Sequence, residues 1–145
     1  MKNLFIYILI FISFLSCKKE ENIDFSISLN DTFPLEIIEF KENIIVRINY
    51  QHPDGYVGFS DPDALSLEIK DSRLFNADYY HLIPINPPSE NLSIKGQIEI
   101  EIDSPFILGN DSIDTETLFF SIRIQDSQLE WSNVVETPKI VVNRE

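Results

Sequence analysis

The chain has 145 residues, of which 43% are hydrophobic and 24% are charged, and its formal net charge at pH 7 is −13. This acidic balance argues against binding to nucleic acid, because the phosphate backbone demands basic patches. The single cysteine argues against a disulfide framework. Regularly placed apolar residues argue against a disordered stalk, so the length supports one folded domain.

The amino-terminal segment has the pattern of a secretory leader. Lys2 precedes an apolar run over residues 4–15, which is broken only by Ser13. About twelve residues are too few to span the hydrocarbon core of a bilayer, which needs about twenty. The length, charge and position are instead typical of the n- and h-regions of a signal peptide.

The residues around Cys17 resemble the lipobox that lipoprotein signal peptidase recognises. Ser16 supplies the small residue before the cysteine, and Phe14 stands where leucine is usual. A lone thiol in an exported chain is better explained by acylation than by a disulfide. The alternative is an ordinary signal peptide with a chance cysteine. We expect residues 1–16 to be a lipoprotein signal peptide and Cys17 to carry the lipid that attaches the chain to the bilayer.

Residues 17–22 are predicted to form a lipidated, charged tether. Their Lys18-Lys19-Glu20-Glu21 stretch resembles the export signal of surface lipoproteins in the Bacteroidota. The alternative is a solvated spacer that holds the domain away from the headgroups. The predicted location is the outer membrane through the lipid anchor, with the cell surface favoured over the periplasmic face.

Residues 23–145 are predicted to form an all-β domain, because their hydrophobicity alternates with a period of two. Short strands separated by turn signals favour a single antiparallel β-sandwich of about seven strands. The predicted inward positions are Ile23, Phe25, Ile27 and Leu29, then Ile44, Val46, Ile48 and Tyr50, then Leu65, Leu67 and Ile69, then Ile94, Ile98, Ile100 and Ile102, and then Leu118, Phe120, Ile122 and Ile124.

The remaining segments give weaker patterns. Residues 79–85 and 139–143 are predicted strands, and residues 30–34 are a predicted turn. Residues 35–41 are ambiguous, since their composition would also allow a helical turn.

Three stretches carry a family resemblance. Residues 44–50 lead into His52-Pro53-Asp54-Gly55-Tyr56-Val57-Gly58-Phe59, residues 122–126 are followed by Ser132-Asn133, and residues 140–142 are Ile-Val-Val. This resembles a group of small, largely uncharacterised Bacteroidota lipoproteins with an immunoglobulin-like or fibronectin type III-like β-sandwich. The resemblance implies an immunoglobulin-like fold. In this chain His52 and Tyr56 stand where the first and third acids of the family's loop would fall.

A turn-rich acidic loop is the candidate metal site. Asp54, Asp61 and Asp63 lie within ten residues, and Asp126 could join them from a neighbouring loop at the same end of the domain. Ca²⁺ prefers six to eight such oxygen ligands. The alternative is that aspartate and glycine are present because turns need them. We expect no cofactor, with Ca²⁺ as the one candidate.

No catalytic site is predicted from the sequence. His52 and His81 have no partner that spacing would reveal, and the chain has no Gly-x-Ser-x-Gly or His-Glu-x-x-His motif. Six aromatic residues have two alternative interpretations, which are a platform that binds a sugar or a peptide and ordinary packing of the rings. They are Tyr50, Tyr56, Phe59, Tyr79, Tyr80 and Trp131.

The sequence therefore predicts a membrane-anchored, non-enzymatic binding or assembly module of the cell envelope, with an envelope protein or a glycan as its partner. A structural spacer lipoprotein without a small-molecule ligand is the first alternative, and an envelope enzyme is the second.

The anchor gives a direct prediction. Replacing the thiol in Cys17→Ser should abolish lipid attachment, because the serine hydroxyl cannot form the thioether. Detergent phase partitioning of cell extracts should then move the protein from the detergent phase to the aqueous phase. A variant that is still processed and still extracts with membranes would contradict the lipoprotein assignment.

Overall fold

The computed structural model describes residues 23–85, 92–110 and 112–145. The predicted signal peptide at 1–16, the acylation site Cys17 and the predicted tether at 17–22 lie outside the described residues. Within the described ranges, no segment forms a helix long and apolar enough to cross a membrane.

The described residues form strands, turns and loops without a helix, as the alternation predicted. The strands in chain order are β1 (Ser26–Phe33), β2 (Glu36–Ile38), β3 (Ile44–His52), β4 (Leu65–Asp71), β5 (Asp78–His81), β6 (Ile94–Ile102), β7 (Thr115–Leu118), β8 (Phe120–Ile124), β9 (Val135–Glu136) and β10 (Ile140–Asn143). They exceed the predicted seven because β2 and β9 are short strands in segments where no strand was predicted, and because the break at Phe119 divides one predicted strand into β7 and β8.

The strands make three hydrogen-bonded sheets with the orders β1-β3-β6, β2-β10-β7 and β5-β4-β8-β9. Neighbouring strands are antiparallel in every pair except β2 and β10. Inward side chains from all three sheets meet in one hydrophobic core. The architecture is all-β with antiparallel sheets, and it is consistent with a β-sandwich.

The middle of the core is built from β3 and β8, whose alternation was the clearest in the sequence. Ile44, Val46 and Ile48 have no exposed surface, and the inward residues of β8 are equally well covered. Burial of this much branched aliphatic surface is the main stabilising term for a domain without a disulfide. The predicted inward faces of both strands are confirmed.

The predicted turn at residues 30–34 is wrong, because β1 continues to Phe33. A register shift between Leu29 and Asp31 inserts one extra residue into the pairing with β3. Such a bulge reverses the side-chain alternation beyond it. Thr32 is therefore buried and Phe33 is partly exposed.

The predicted inward position of Leu65 is also wrong, for the same physical reason. A register shift between Leu65 and Leu67 turns Ser66 into the core and leaves Leu65 about half exposed. Residues 35–41 contain β2 and no helical turn. The predicted strand at 79–85 is shorter, since β5 ends at His81.

The register of β8 can be tested by truncation. Phe120→Ala should lower the free energy of unfolding by about 3–5 kcal/mol, because it removes a buried aromatic ring and leaves a cavity. Ser121→Ala on the opposite face should cost little. Urea unfolding of the two variants measures both values, and similar losses at the two positions would contradict the register.

Candidate functional site

Two strands from different sheets end beside each other and bring two polar side chains together. His52 is the last residue of β3, and Asp126 lies two residues after the end of β8. Nε2 of His52 lies 3.2 Å from Oδ2 of Asp126, and both side chains are almost completely buried. The ring of Phe25 packs edge-on against the imidazole, with the ring centroids 4.8 Å apart.

The hydrogen bonds fix the tautomer of this histidine. Nδ1 of His52 accepts from the backbone N–H of Asp54 at 3.1 Å and of Gly55 at 2.9 Å. A nitrogen that accepts carries no proton, so Nε2 carries the hydrogen and donates it to Asp126. Gly55 has a φ of 79°, which the tight turn after β3 requires and glycine adopts without strain.

Asp126 also organises the loop that follows β8. Its Oδ1 accepts from the backbone N–H of Gln128 at 2.9 Å and of Glu130 at 2.8 Å. Its own backbone N–H donates to the carbonyl of Glu130, and its carbonyl accepts from Leu129. The two carboxylate oxygens of Asp126 are thus both engaged by donors within the chain.

Backbone contacts join the loop after β3 to the loop after β8. Gly58 donates to the carbonyl of Gln125, Ser127 donates to the carbonyl of Tyr56, and Val57 forms a bridge with Asp126. The expectation that these two loops leave the domain at the same end is confirmed. We call this end the proximal end, because β1 begins here, beside the last residues of β3.

The four predicted calcium ligands do not form one cluster in this structure. Asp126 points at His52, whereas Asp61 and Asp63 are exposed and Asp54 is half-buried. Oδ1 of Asp61 accepts from the backbone N–H of Asp63 at 3.0 Å, which is a turn-forming role. Within residues 23–85, 92–110 and 112–145, no group of three or more His, Cys, Asp or Glu side chains could hold a metal ion. The calcium site stays a prediction.

A second candidate site was missed in the sequence. A cavity of about 570 Å³ opens between the edges of β5 and β6. Its apolar walls come from β4, β6 and β8, namely from Leu67, Ile69, Ile98, Ile100, Ile102 and Phe120. We call it the β5–β6 cleft. Ile98 and Ile102 are only partly buried, although they continue the inward row of β6.

The rim of the β5–β6 cleft is acidic. Asp78, Glu101 and Asp103 line it, together with Glu99, which is ion-paired with Arg47. Burial, and then the charges of Asp78 and Asp103, raise the pKa of the Tyr80 hydroxyl. A negative field therefore surrounds an apolar interior.

The guanidinium of Arg73, which also lines the cleft, is neutralised by two carboxylates. Arg73 contacts Asp71 through Nη2 and Glu116 through Nη1, at 2.6 Å each. Burial alone would lower the pKa of the Arg73 guanidinium, but its hydrogen bonds and charge contacts with these two acids raise it.

The aromatic residues do not form a single platform. Tyr50 is buried in the core, Tyr80 lines the β5–β6 cleft, and Tyr79 lies edge-on to Trp131 with the ring centroids 6.4 Å apart. The guanidinium of Arg123 covers the Trp131 ring at 4.5 Å and pairs with Glu68. This outer face of β4, β5 and β8 is occupied by its own polar contacts.

The chain was compared with protein-family models, with curated proteins and with solved structures, and none of them matches. The resemblance to Bacteroidota lipoproteins stays a prediction.

The proximal end predicts a clear difference between two aspartates. Asp126→Ala should lower the free energy of unfolding by about 1–3 kcal/mol, because the buried Nε2–H of His52 loses its acceptor, whereas the part-buried N–H groups of Gln128 and Glu130 can bind water instead. Asp54→Ala should cost less than about 1 kcal/mol. Urea unfolding compares them, and equal losses would contradict the role assigned to Asp126.

The same geometry predicts the response to calcium. Millimolar Ca²⁺ should leave the melting temperature unchanged, since the oxygens of Asp126 are already engaged and a stabilising shift requires binding to the native state. Mg²⁺ at the same ionic strength is the control. A rise specific to Ca²⁺ would show that the acidic loop binds the ion after all.

Proposed function

We propose that this chain is a lipid-anchored, non-enzymatic protein of the cell envelope whose immunoglobulin-like domain binds an apolar ligand in the β5–β6 cleft. The observation that carries the proposal is the cleft itself, with aliphatic walls and an acidic rim. Ligand sites are typically cavities of about 300–1,000 Å³ with mostly hydrophobic linings and a few placed polar groups. The volume of about 570 Å³ falls within this range.

Strand order supports the immunoglobulin-like part of the proposal. The orders β1-β3-β6 and β5-β4-β8-β9 resemble the two sheets of such a sandwich, with the fourth strand of the first sheet missing and β5 as an extra strand on the second. The short break at Phe119 lets β7 and β8 count as one strand of the fold. The chain leaves the first sheet after β1, and β2 pairs in parallel with β10 in a separate sheet.

The position of the cleft supports an anchored binding module. Ile94 at the start of β6 pairs with His52 at the proximal end, and Ile102 pairs with Ile44 at the other end. The cleft is lined by residues 98–104 and 71–74, except Ser72, on the half of β6 away from the proximal end, and it extends to Leu82 and Ile83 beside the loop after β3. A lipid on Cys17 would hold the proximal end at the bilayer and leave the cleft open toward a ligand.

The burial of His52 and Asp126 argues against a catalytic role for this pair. His52 and Asp126 are nearly inaccessible, and their nitrogen and oxygen atoms are hydrogen-bonded within the chain. A general base must reach a substrate proton, directly or through one water molecule. We therefore assign the pair to holding two loops together.

Ligand entry can be measured with an environment-sensitive dye on an introduced thiol. If Cys17 is acylated, Ile83→Cys provides the one reactive thiol of the chain, at a cleft residue that is 75% exposed. Val134→Cys, which is 53% exposed and outside the cleft, is the matched control. Both labelled proteins are studied in phosphatidylcholine nanodiscs.

Octyltrimethylammonium should cause a saturable blue shift at position 83 and none at position 134. Because the rim is acidic, octanoate should need a concentration about tenfold higher. The absence of a saturable change with either octyl compound, or equal changes at both positions, would contradict a cleft that binds apolar ligands.

A further inference from the structure

β6 presents the backbone edge of residues 98–102 beside the β5–β6 cleft. This strand has nine residues, and among the described residues it pairs only with β3. A long edge strand presents unpaired N–H and C=O groups, which form a template for a further strand.

The cleft runs along this edge and not only above the inward face of the strand. Every residue from 98 to 104 lines it, so inward isoleucines and outward glutamates both contribute. Since successive side chains point to opposite faces of a sheet, an unbroken run of lining residues means that the backbone edge itself forms the wall. The edge of β5, with Tyr80, lies on the opposite side.

Each face of β6 selects a different kind of side chain. On the inward face, a neighbouring strand would cover Ile98 and Ile102, which are only partly buried. On the outward face it would lie beside the exposed Glu101, whose carboxylate has only the neutral Asn43 as a partner among the described residues, whereas Glu99 is already ion-paired with Arg47. Cross-strand pairs of opposite charge are favourable and pairs of like charge are unfavourable. The matching strand therefore alternates apolar residues with lysine or arginine.

We infer that the β5–β6 cleft binds an extended segment of another protein, apolar at every second residue and basic at the residues between, which pairs with the edge of β6 at residues 98–102. The inference rests on the proposed function and names its ligand. Strand addition of this kind draws affinity from main-chain hydrogen bonds and specificity from alternate side chains. The net charge of −13 opposes a second copy of this chain as the occupant.

The test uses synthetic peptides and the full chain in phosphatidylcholine nanodiscs, with empty nanodiscs as background. The probe is a fluorescent nine-residue peptide that alternates lysine with valine and isoleucine. One control has the same composition with the lysines grouped, and a second has glutamate in place of lysine. Anisotropy should show binding of the probe about tenfold tighter than binding of either control.

Strand pairing is tested separately from hydrophobic contact. Two further peptides carry N-methyl groups on alternate amides. One is methylated at the odd-numbered residues and the other at the even-numbered residues, and these are the two frames. Because only one edge of the added strand faces β6, N-methylation should weaken binding about tenfold in one frame and leave the other frame nearly unchanged. Equal binding in both frames would overturn the inference.

Charge selection is tested on the protein side. Glu101→Lys should weaken binding of the lysine peptide about tenfold and strengthen binding of the glutamate peptide. Glu136→Lys, an exposed change on β9 of another sheet, is the matched control and should change neither affinity. Thermal unfolding checks that both variants remain folded. Equal effects of the two substitutions would show a response to net charge and would overturn the inference.

The outcomes also distinguish this inference from the proposed function. If octyltrimethylammonium shifts the dye at position 83 but peptide alternation and N-methylation have no effect, the cleft binds an apolar chain and the strand partner is wrong. If light scattering shows a dimer that Glu101→Lys alters, the occupant is a second copy and the inference is also overturned. If neither peptides nor octyl compounds bind, both proposals fail.

Discussion

The inward face of β3 is buried over its whole length, from Ile44 through Tyr50 to His52. β3 is the middle strand of its sheet, so its register with β1 and β6 fixes where both neighbours begin and end. A slip by one residue would turn the isoleucine row to solvent, and this constraint makes the register unique. The row ends on His52, whose hydrogen bond to Asp126 ties the sheet to the loop after β8.

The two ends of the domain differ because of this arrangement. At the proximal end, hydrogen bonds link His52 to the turn at Asp54 and Gly55 and to Asp126 in the loop after β8. These bonds hold the two loops together. Along the other half, β6 pairs with β3 alone in the part of the chain that the structure describes, and the same alternation that buries Ile48 completely leaves Ile98 partly uncovered. The β5–β6 cleft is therefore a consequence of the position of β6 at a sheet edge.

Two bulges interrupt the alternation and carry an energetic cost. The bulges in β1 and β4 turn Thr32 and Ser66 into the interior, and neither hydroxyl has a hydrogen-bond partner among the described residues. A buried hydroxyl without a partner costs about 1–3 kcal/mol.

The sequence by itself determined the all-β class and the inward faces of β3 and β8. Hydrophobic residues at every second position are visible within each strand, whichever strands it later pairs with. If the alternation on β3 is continued by two residues beyond Tyr50, it also places His52 inside the domain. Its partner Asp126 is 74 positions away, and only the tertiary structure brought them together. The shift at Ser66 and the β5–β6 cleft were likewise decided in three dimensions, since bulges and sheet edges depend on which strands pair and not on the residues of one strand.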